Sequence, residues 1–174
     1  ALQFRVGEGP TAHPLRPNDP RDNQEINVIG AYDSYTKKYY QWCMHPNFEE
    51  DIALQRYDGE DSQVKYFHDE ARMLEDFVEF VDAIDPDVLL AWGMGFYDLP
   101  TLYRRLESTG VGAHKLVPSS MGRRRLMKPP RYKGVQYRWT EQPLPGRIVI
   151  SLDKLYERIY RDSKSTNLPS MKLD

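Results

Sequence analysis

The sequence predicts an α/β domain, a mixed β-sheet flanked by helices, on three observations. Short apolar runs of strand character occur near the start, in the middle and near the end of the chain. Two segments carry apolar residues at three- and four-residue steps. The segments follow one another as β, ββ, α, β, α, loop, β/α, an order that suits a sheet with helices packed on it. About five strands are expected in the sheet.

Each element has its own signal. Leu2, Phe4 and Val6 alternate with polar or small residues, the period-two mark of a strand over residues 2–7, and Gly9-Pro10 ends it. Residues 10–25 hold four prolines and read as a loop. Ile26 to Asp33 and Tyr39 to Met44 are rich in β-branched and aromatic residues. The polar stretch Ser34 to Lys38 between them has hairpin length, so the two pair antiparallel. Asp69 is placed to cap a helix whose apolar positions are Met73, Leu74, Phe77, Val78, Val81 and Ile84, and Asp85-Pro86 stops it. Val88 to Trp92 is continuously apolar, as in a strand covered on both faces. A second helix carries Leu99, Leu102, Tyr103 and Leu106 and runs to Gly110. Ile148, Val149, Ile150 and Leu152 form a last strand, passing into a helix with Leu155, Tyr156 and Ile159.

At 174 residues, 40% hydrophobic and 29% charged, the composition is that of one soluble globular domain spanning 1–174. No apolar run approaches the ~20 residues of a membrane span, so no membrane partner is expected. The single Cys43 excludes an internal disulfide framework and fits a reducing, intracellular (cytoplasmic) setting. The four histidines are too scattered for a zinc cluster. The chain enters its first strand without initiator methionine or signal peptide, which reads as a domain excised from a longer protein. The glycine pairs Gly7/Gly9 and Gly93/Gly95 do not complete a dinucleotide-binding Gly-x-Gly-x-x-Gly.

Charge is segregated. The net charge is −2, yet from Ser108 to Thr140 there is no Asp or Glu. Lys115, Arg123, Arg124, Arg125, Lys128, Arg131, Lys133 and Arg138 place eight cations there, leaving the remainder at −10. A basic block on an acidic body reads as a nucleic-acid or anion contact; a solvated loop or a site for an acidic protein partner are the alternatives.

Four stretches in order resemble the 3′→5′ exonuclease domain of family B DNA polymerases: Phe4-Arg-Val-Gly-Glu-Gly-Pro10, Ile26-Asn-Val-Ile-Gly-Ala-Tyr-Asp33, Asp85-Pro-Asp-Val-Leu-Leu-Ala-Trp-Gly-Met-Gly-Phe-Tyr-Asp-Leu-Pro100 and Gly146-Arg-Ile-Val-Ile-Ser-Leu152. The third is similar to the family's second motif, Trp-Asn-x-x-x-Phe-Asp followed by Pro, with Trp92, Phe96, Tyr97, Asp98 and Pro100 in register. The resemblance implies an RNase H-like fold with the strand at 2–7 beside that at 88–92, and a hairpin or loop insertion around 115–145. It implies DNA, single-stranded or primer-template, as ligand, and the rest of a polymerase chain as partner. The family's chemistry is two-metal phosphodiester hydrolysis, with Mg²⁺ held by Asp-x-Glu in the first motif, Asp in the second and Tyr-x-x-x-Asp in a third.

The departures fall on those ligands. The first-motif Asp and Glu are Arg5 and Gly7, the second-motif Asn is Gly93, and the aspartate common after Gly-Arg-x-x-x is Ser151. The chain ends where the third motif would be approached. Asp98 remains as a vestigial catalytic acid, alternatively the N-cap of the helix entered through Pro100. Two unit charges ~4 Å apart interact by about 4 kcal/mol at an effective dielectric of ~20, so Arg5 opposes a dication by about twice that. No Mg²⁺ is therefore expected. Glu8 replaces the lost Glu only if a bulge turns it to the other face. Arg5 is expected either to pair with Asp98 in the vacated site or to extend to solvent. DNA contacts are expected from Arg123, Arg124, Arg125, Lys128, Arg131 and Lys133, with Phe96 and Tyr97 stacking on bases or packing in the core. The leading reading is a catalytically silent domain acting as scaffold and DNA-contact surface. Its rivals are an active nuclease completed by sequence beyond residue 174 and a protein-interaction module of a replication complex.

Overall fold

A computed structural model of the chain describes residues 25–44, 61–122 and 142–160, and the backbone alone of residues 2–8, 131–133, 136–138 and 161–162. Its strands are β1 (Leu2–Glu8), β2 (Ile26–Asp33), β3 (Lys38–Met44), β4 (Ser62–Phe67), β5 (Val88–Ala91), β6 (Arg131–Lys133), β7 (Gln136–Arg138) and β8 (Ile148–Ser151). The helices are α1 (Glu70–Ile84), α2 (Leu99–Ser108) and α3 (Leu152–Asp162).

Six strands form one sheet in the order β4-β3-β2-β1-β5-β8, and β6 and β7 form a separate hairpin. The β1–β2 and β2–β3 pairs are antiparallel, whereas β3–β4, β1–β5 and β5–β8 are parallel. This is the mixed sheet expected of an RNase H-like domain, with β1 beside β5 and a hairpin inside the insertion. It has one strand more than the sequence suggests: Ser62–Phe67 pairs along the outer side of β3. The strand predicted to include Leu152 stops at Ser151, where α3 begins. Among the described residues no helix is long and apolar enough to cross a membrane.

The register of β2 shifts once. Gly7 pairs with Val28 but Glu8 pairs with Ile26, so Asn27 is an extra residue in β2. That bulge explains the burial pattern: Ile29, Ala31 and Asp33 alternate inward, and Ile26 rejoins them out of phase. The bulge considered for Glu8 thus exists, but on the partner strand, and β1 itself contains no inserted residue.

α1 covers one face of the sheet. Its Met73, Leu74, Phe77, Val78 and Val81 recur at helical spacing and are all buried. Trp42 meets Phe77 edge-on at 5.2 Å and Phe80 at 4.8 Å, and its indole N–H donates to Asp76 at 2.7 Å. Asp69 caps the start of α1 by accepting from the Arg72 N–H at 2.9 Å. Asp85 ends it in the left-handed conformation, φ 46°, before Pro86. The Arg147 guanidinium fixes this corner, donating to the carbonyls of Pro86 at 2.6 Å and Leu116 at 2.9 Å and lying 3.1 Å from the Asp85 carboxylate.

Glu70, in the first turn of α1, is 5% exposed. It accepts from the Ile26 N–H at 2.8 Å and from Arg105 Nε at 2.9 and 3.1 Å, with a further bond from Arg105 Nη2 to Oε2. The start of β2, the start of α1 and the last turn of α2 therefore meet on one carboxylate. Removing one partner of such a pair strands a buried charge. Arg105→Met is expected to cost about 3–5 kcal/mol in urea unfolding. Glu70→Gln with Arg105→Met should cost less, because the amide still accepts from Ile26 and no charge is left unpaired.

At the other end of β2, Asp33 accepts from the Tyr35 N–H at 3.0 Å, the Thr36 N–H at 3.2 Å and the Thr36 hydroxyl at 2.7 Å, closing a hairpin turn in which Lys37 takes φ 58°. Burial opposes the charge on Asp33, but the Thr36 hydroxyl and the two N–H groups outweigh it and hold the carboxyl below the usual aspartate range. A depressed folded-state pKa stabilises the protein above the unfolded value of about 3.9 and loses that contribution as pH falls through the folded value. Asp33→Asn should therefore lower Tm at neutral pH and flatten the fall of Tm below about pH 4, measured by a pH series of thermal melts.

Candidate functional site: the turn after β5

β5 ends in Trp92-Gly93, and the chain then makes a π-helical turn, Met94–Asp98, that runs directly into α2. The Gly93 carbonyl accepts from the N–H groups of Phe96 at 3.2 Å, Tyr97 at 2.8 Å and Asp98 at 3.3 Å. Such i→i+5 turns are rare and concentrate at functional sites. The wider turn brings residue 98 back over residue 93. A Cβ placed on Gly93 would stand 3.6 Å from Asp98 Oδ2 and 3.4 Å from the Phe96 ring and from Tyr97 Cβ.

Asp98 is 3% exposed. It is not a cap: its own backbone is helical, φ −61° and ψ −54°, and its side chain makes no capping bond to α2. The Asp-x-Pro signature that suggested an N-cap instead marks the passage from π to α geometry. Phe96 and Tyr97 are both half-buried within the turn.

β8 and α3 form the neighbouring wall. The Ser151 hydroxyl accepts from the Gly95 N–H at 3.3 Å and bonds to Asp153 Oδ1, while the Asp153 N–H donates to the Trp92 carbonyl at 3.1 Å. Asp153 is 5% exposed, and its own backbone and carboxylate tie α3 to the turn. Trp92 lies 5.8 Å from Tyr156, which meets Tyr160 at 4.2 Å. Ser151 was read in the sequence only as the place of a missing aspartate; its direct bond to Asp153 and its bond from Gly95, more than fifty residues away, carry no local sequence signal.

β1 reaches the same end of the sheet. It runs parallel to β5, Leu2 beside Leu89 and Gln3 beside Leu90, so Arg5 and Gly7 lie further along toward the end where Gly93 and Asp98 stand. The Arg5 side chain, and with it the expected pairing with Asp98, lies outside the described residues. The basic hairpin also arrives here, since β7 packs against the π-helical turn. Arg131 and Lys133 are in β6. Arg123, Arg124, Arg125 and Lys128 lie outside the described residues. Among the described residues no three His, Cys, Asp or Glu side chains are grouped to hold a metal ion.

A family model of the exonuclease domain of family B DNA polymerases matches residues 20–174. The chain belongs to this family. The match begins after β1 and so does not include the Phe4–Pro10 stretch. No curated protein matches the chain. The turn after β5 holds the stretch, Trp92 to Pro100, that resembles the family's second motif.

Proposed function

We propose that this exonuclease domain is silent as a nuclease and serves its polymerase as a scaffold and as a contact surface for single-stranded or primer-template DNA in replication or repair. The observation that carries the reading is the lack of donor acids at the positions around Asp98. Position 93, where an added Cβ would stand 3.6 Å from Asp98 Oδ2, is a glycine, and the nearby Ser151 hydroxyl is engaged by Gly95 and Asp153. Two Mg²⁺ ions need several acids converging on one volume. Arg5 and Gly7 in β1 supply none, and Arg5 adds a charge of the wrong sign. The residues present do not fit the family's metal pair.

The DNA-contact half of the reading rests on placement. β7 lies against the π-helical turn, so the β6–β7 hairpin, with Arg131, Lys133 and Arg138 in its strands, stands beside Asp98. Cations there attract the phosphate backbone without reading its sequence, and the half-buried Phe96 and Tyr97 offer ring edges for base contact.

Two measurements test this. An end-labelled single-stranded oligonucleotide incubated with the protein and Mg²⁺ or Mn²⁺ should show no 3′→5′ shortening, and Arg5→Asp with Gly7→Glu should begin to restore metal binding by calorimetry. Metal-dependent laddering abolished by Asp98→Ala would establish an active nuclease instead. For binding, about four phosphate contacts predict that log K falls with log salt at a slope of roughly −3, from about −0.7 per contact on single strands. Arg131→Glu with Lys133→Glu should weaken binding alike for all sequences. Salt-independent binding, or selective capture of an acidic protein with no affinity for DNA, would overturn the DNA-contact role.

A further inference from the structure

The turn between β2 and β3 gathers Tyr32, Tyr35, Lys37, Lys38 and Tyr39 at one hairpin tip. Tyr35 is 91% exposed and Tyr39 59%, and a ring so far in water adds little to the core. Tyr40 and Trp42 pack on α1, with Tyr40 4.5 Å from Phe80. Alternation along the strand therefore sends Tyr39, and Tyr32 opposite it, to the other face of the sheet. Their rings lie 4.7 Å apart, tilted by 40°. Lys37 and Lys38 are both exposed, and neither has an ion pair among the described residues. The acid within the tip is withdrawn from the surface, since the Asp33 carboxylate is buried and filled by the Tyr35 N–H and by the N–H and hydroxyl of Thr36. The same bonds fix the turn from which Tyr35 and the lysines project. Asp61 reaches the tip through its backbone carbonyl, which accepts from the Tyr39 N–H at 2.8 Å, so among the described residues two unpaired cations stand against one exposed carboxylate.

The tip is remote from the π-helical turn. Leu2 of β1 is opposite Asp33 and beside Leu89, which places the tip at the end of the sheet where β5 begins, whereas the turn follows the end of β5. We infer that this tip is a second contact for single-stranded DNA, in which bases stack on Tyr35 and on the Tyr32–Tyr39 pair while Lys37 and Lys38 meet the adjoining phosphates. The ligand must offer planar faces and negative charge in alternation. A duplex keeps its base faces inside the stack and an acidic peptide has charge without such faces, but a single strand has both. Membership of a DNA polymerase family selects DNA as the polymer. The inference shares only that choice of polymer with the DNA-contact reading above, since it involves neither the basic hairpin nor the second motif.

The test is fluorescence anisotropy with the whole chain and three probes of equal length: an oligothymidylate, a strand of abasic deoxyribose phosphates and a duplex. Tyr35→Ala with Tyr39→Ala is expected to weaken oligothymidylate binding by about fivefold or more, the lower end for losing one base–aromatic stack, and to leave the abasic strand unaffected. Tyr35→Phe with Tyr39→Phe should keep the affinity, because the ring still stacks. Lys37→Ala with Lys38→Ala should weaken both single strands and reduce the salt slope by about 1.4, two contacts at about 0.7 each. Should Tyr39→Ala not fold, Tyr35→Ala decides alone, since that ring is almost wholly in water. Unchanged oligothymidylate affinity in the alanine variant, an equal loss for the abasic strand, or an equal loss for the duplex would each overturn the inference. An acidic peptide bound at the tip of a chain without affinity for single strands would do the same. Arg131→Glu with Lys133→Glu separates the two contacts. If it weakens binding and the tip variants do not, this inference falls and the contact at the basic hairpin stands; if only the tip variants weaken binding, the basic hairpin falls and the tip stands.

Discussion

The buried carboxylate of Glu70 is the constraint from which the arrangement of the domain follows. It accepts from the first N–H of β2 and from the Arg105 guanidinium at the end of α2, so it sets where the sheet's second strand starts relative to two helices that are far apart in sequence. A carboxylate out of water is costly unless its lone pairs are filled. Here they are filled only when all three elements are in place. The arrangement therefore specifies as well as stabilises, because a shifted helix would leave a charge without its partner.

Once α2 is anchored at its C-terminal end, the geometry of its other end is determined by the π-helical turn. The sheet delivers Trp92-Gly93 at the end of β5, α2 must begin at Leu99, and the five residues between close on a single carbonyl. The turn brings Asp98 back over Gly93. Backbone hydrogen bonds to the Gly93 carbonyl hold this turn in its π-helical form. Ser151 illustrates the same point from the other wall. In place of an acid it has a hydroxyl that joins Gly95 to Asp153, a structural link where the family commonly places a charge.

Much of this was legible in the sequence. The hairpin of β2 and β3, the apolar stripe of α1, the buried run of β5 and the hairpin within the basic insertion all stand where periodicity, turn residues and family resemblance place them. β4 was missed because Ser62-Gln-Val-Lys-Tyr-Phe67 is half polar and every residue in it is only partly buried; an edge strand needs no clean alternation. Glu70 and Arg105 were missed because charges on amphipathic helices ordinarily face water, and nothing local marks a pair thirty-five residues apart. Asp98 was readable as a cap because Asp-x-Pro does begin helices. An i→i+5 turn has no comparable local signature, and the direction of the carboxylate depends on it.

The Arg147 corner has a consequence for how the insertion can change. Its guanidinium bonds to the Leu116 carbonyl, and Gly146, at φ 80°, brings its backbone against Pro118 and Met121. The chain between residues 117 and 146 consequently leaves and re-enters the domain at one closed stem. Lengthening a loop with fixed ends is cheap, about 0.6 kcal/mol for each doubling, so added length between residues 122 and 142 need not disturb the stem. The stem thus fixes both ends of the basic insertion on the Arg147 corner, while β7 of the hairpin reaches back to the π-helical turn.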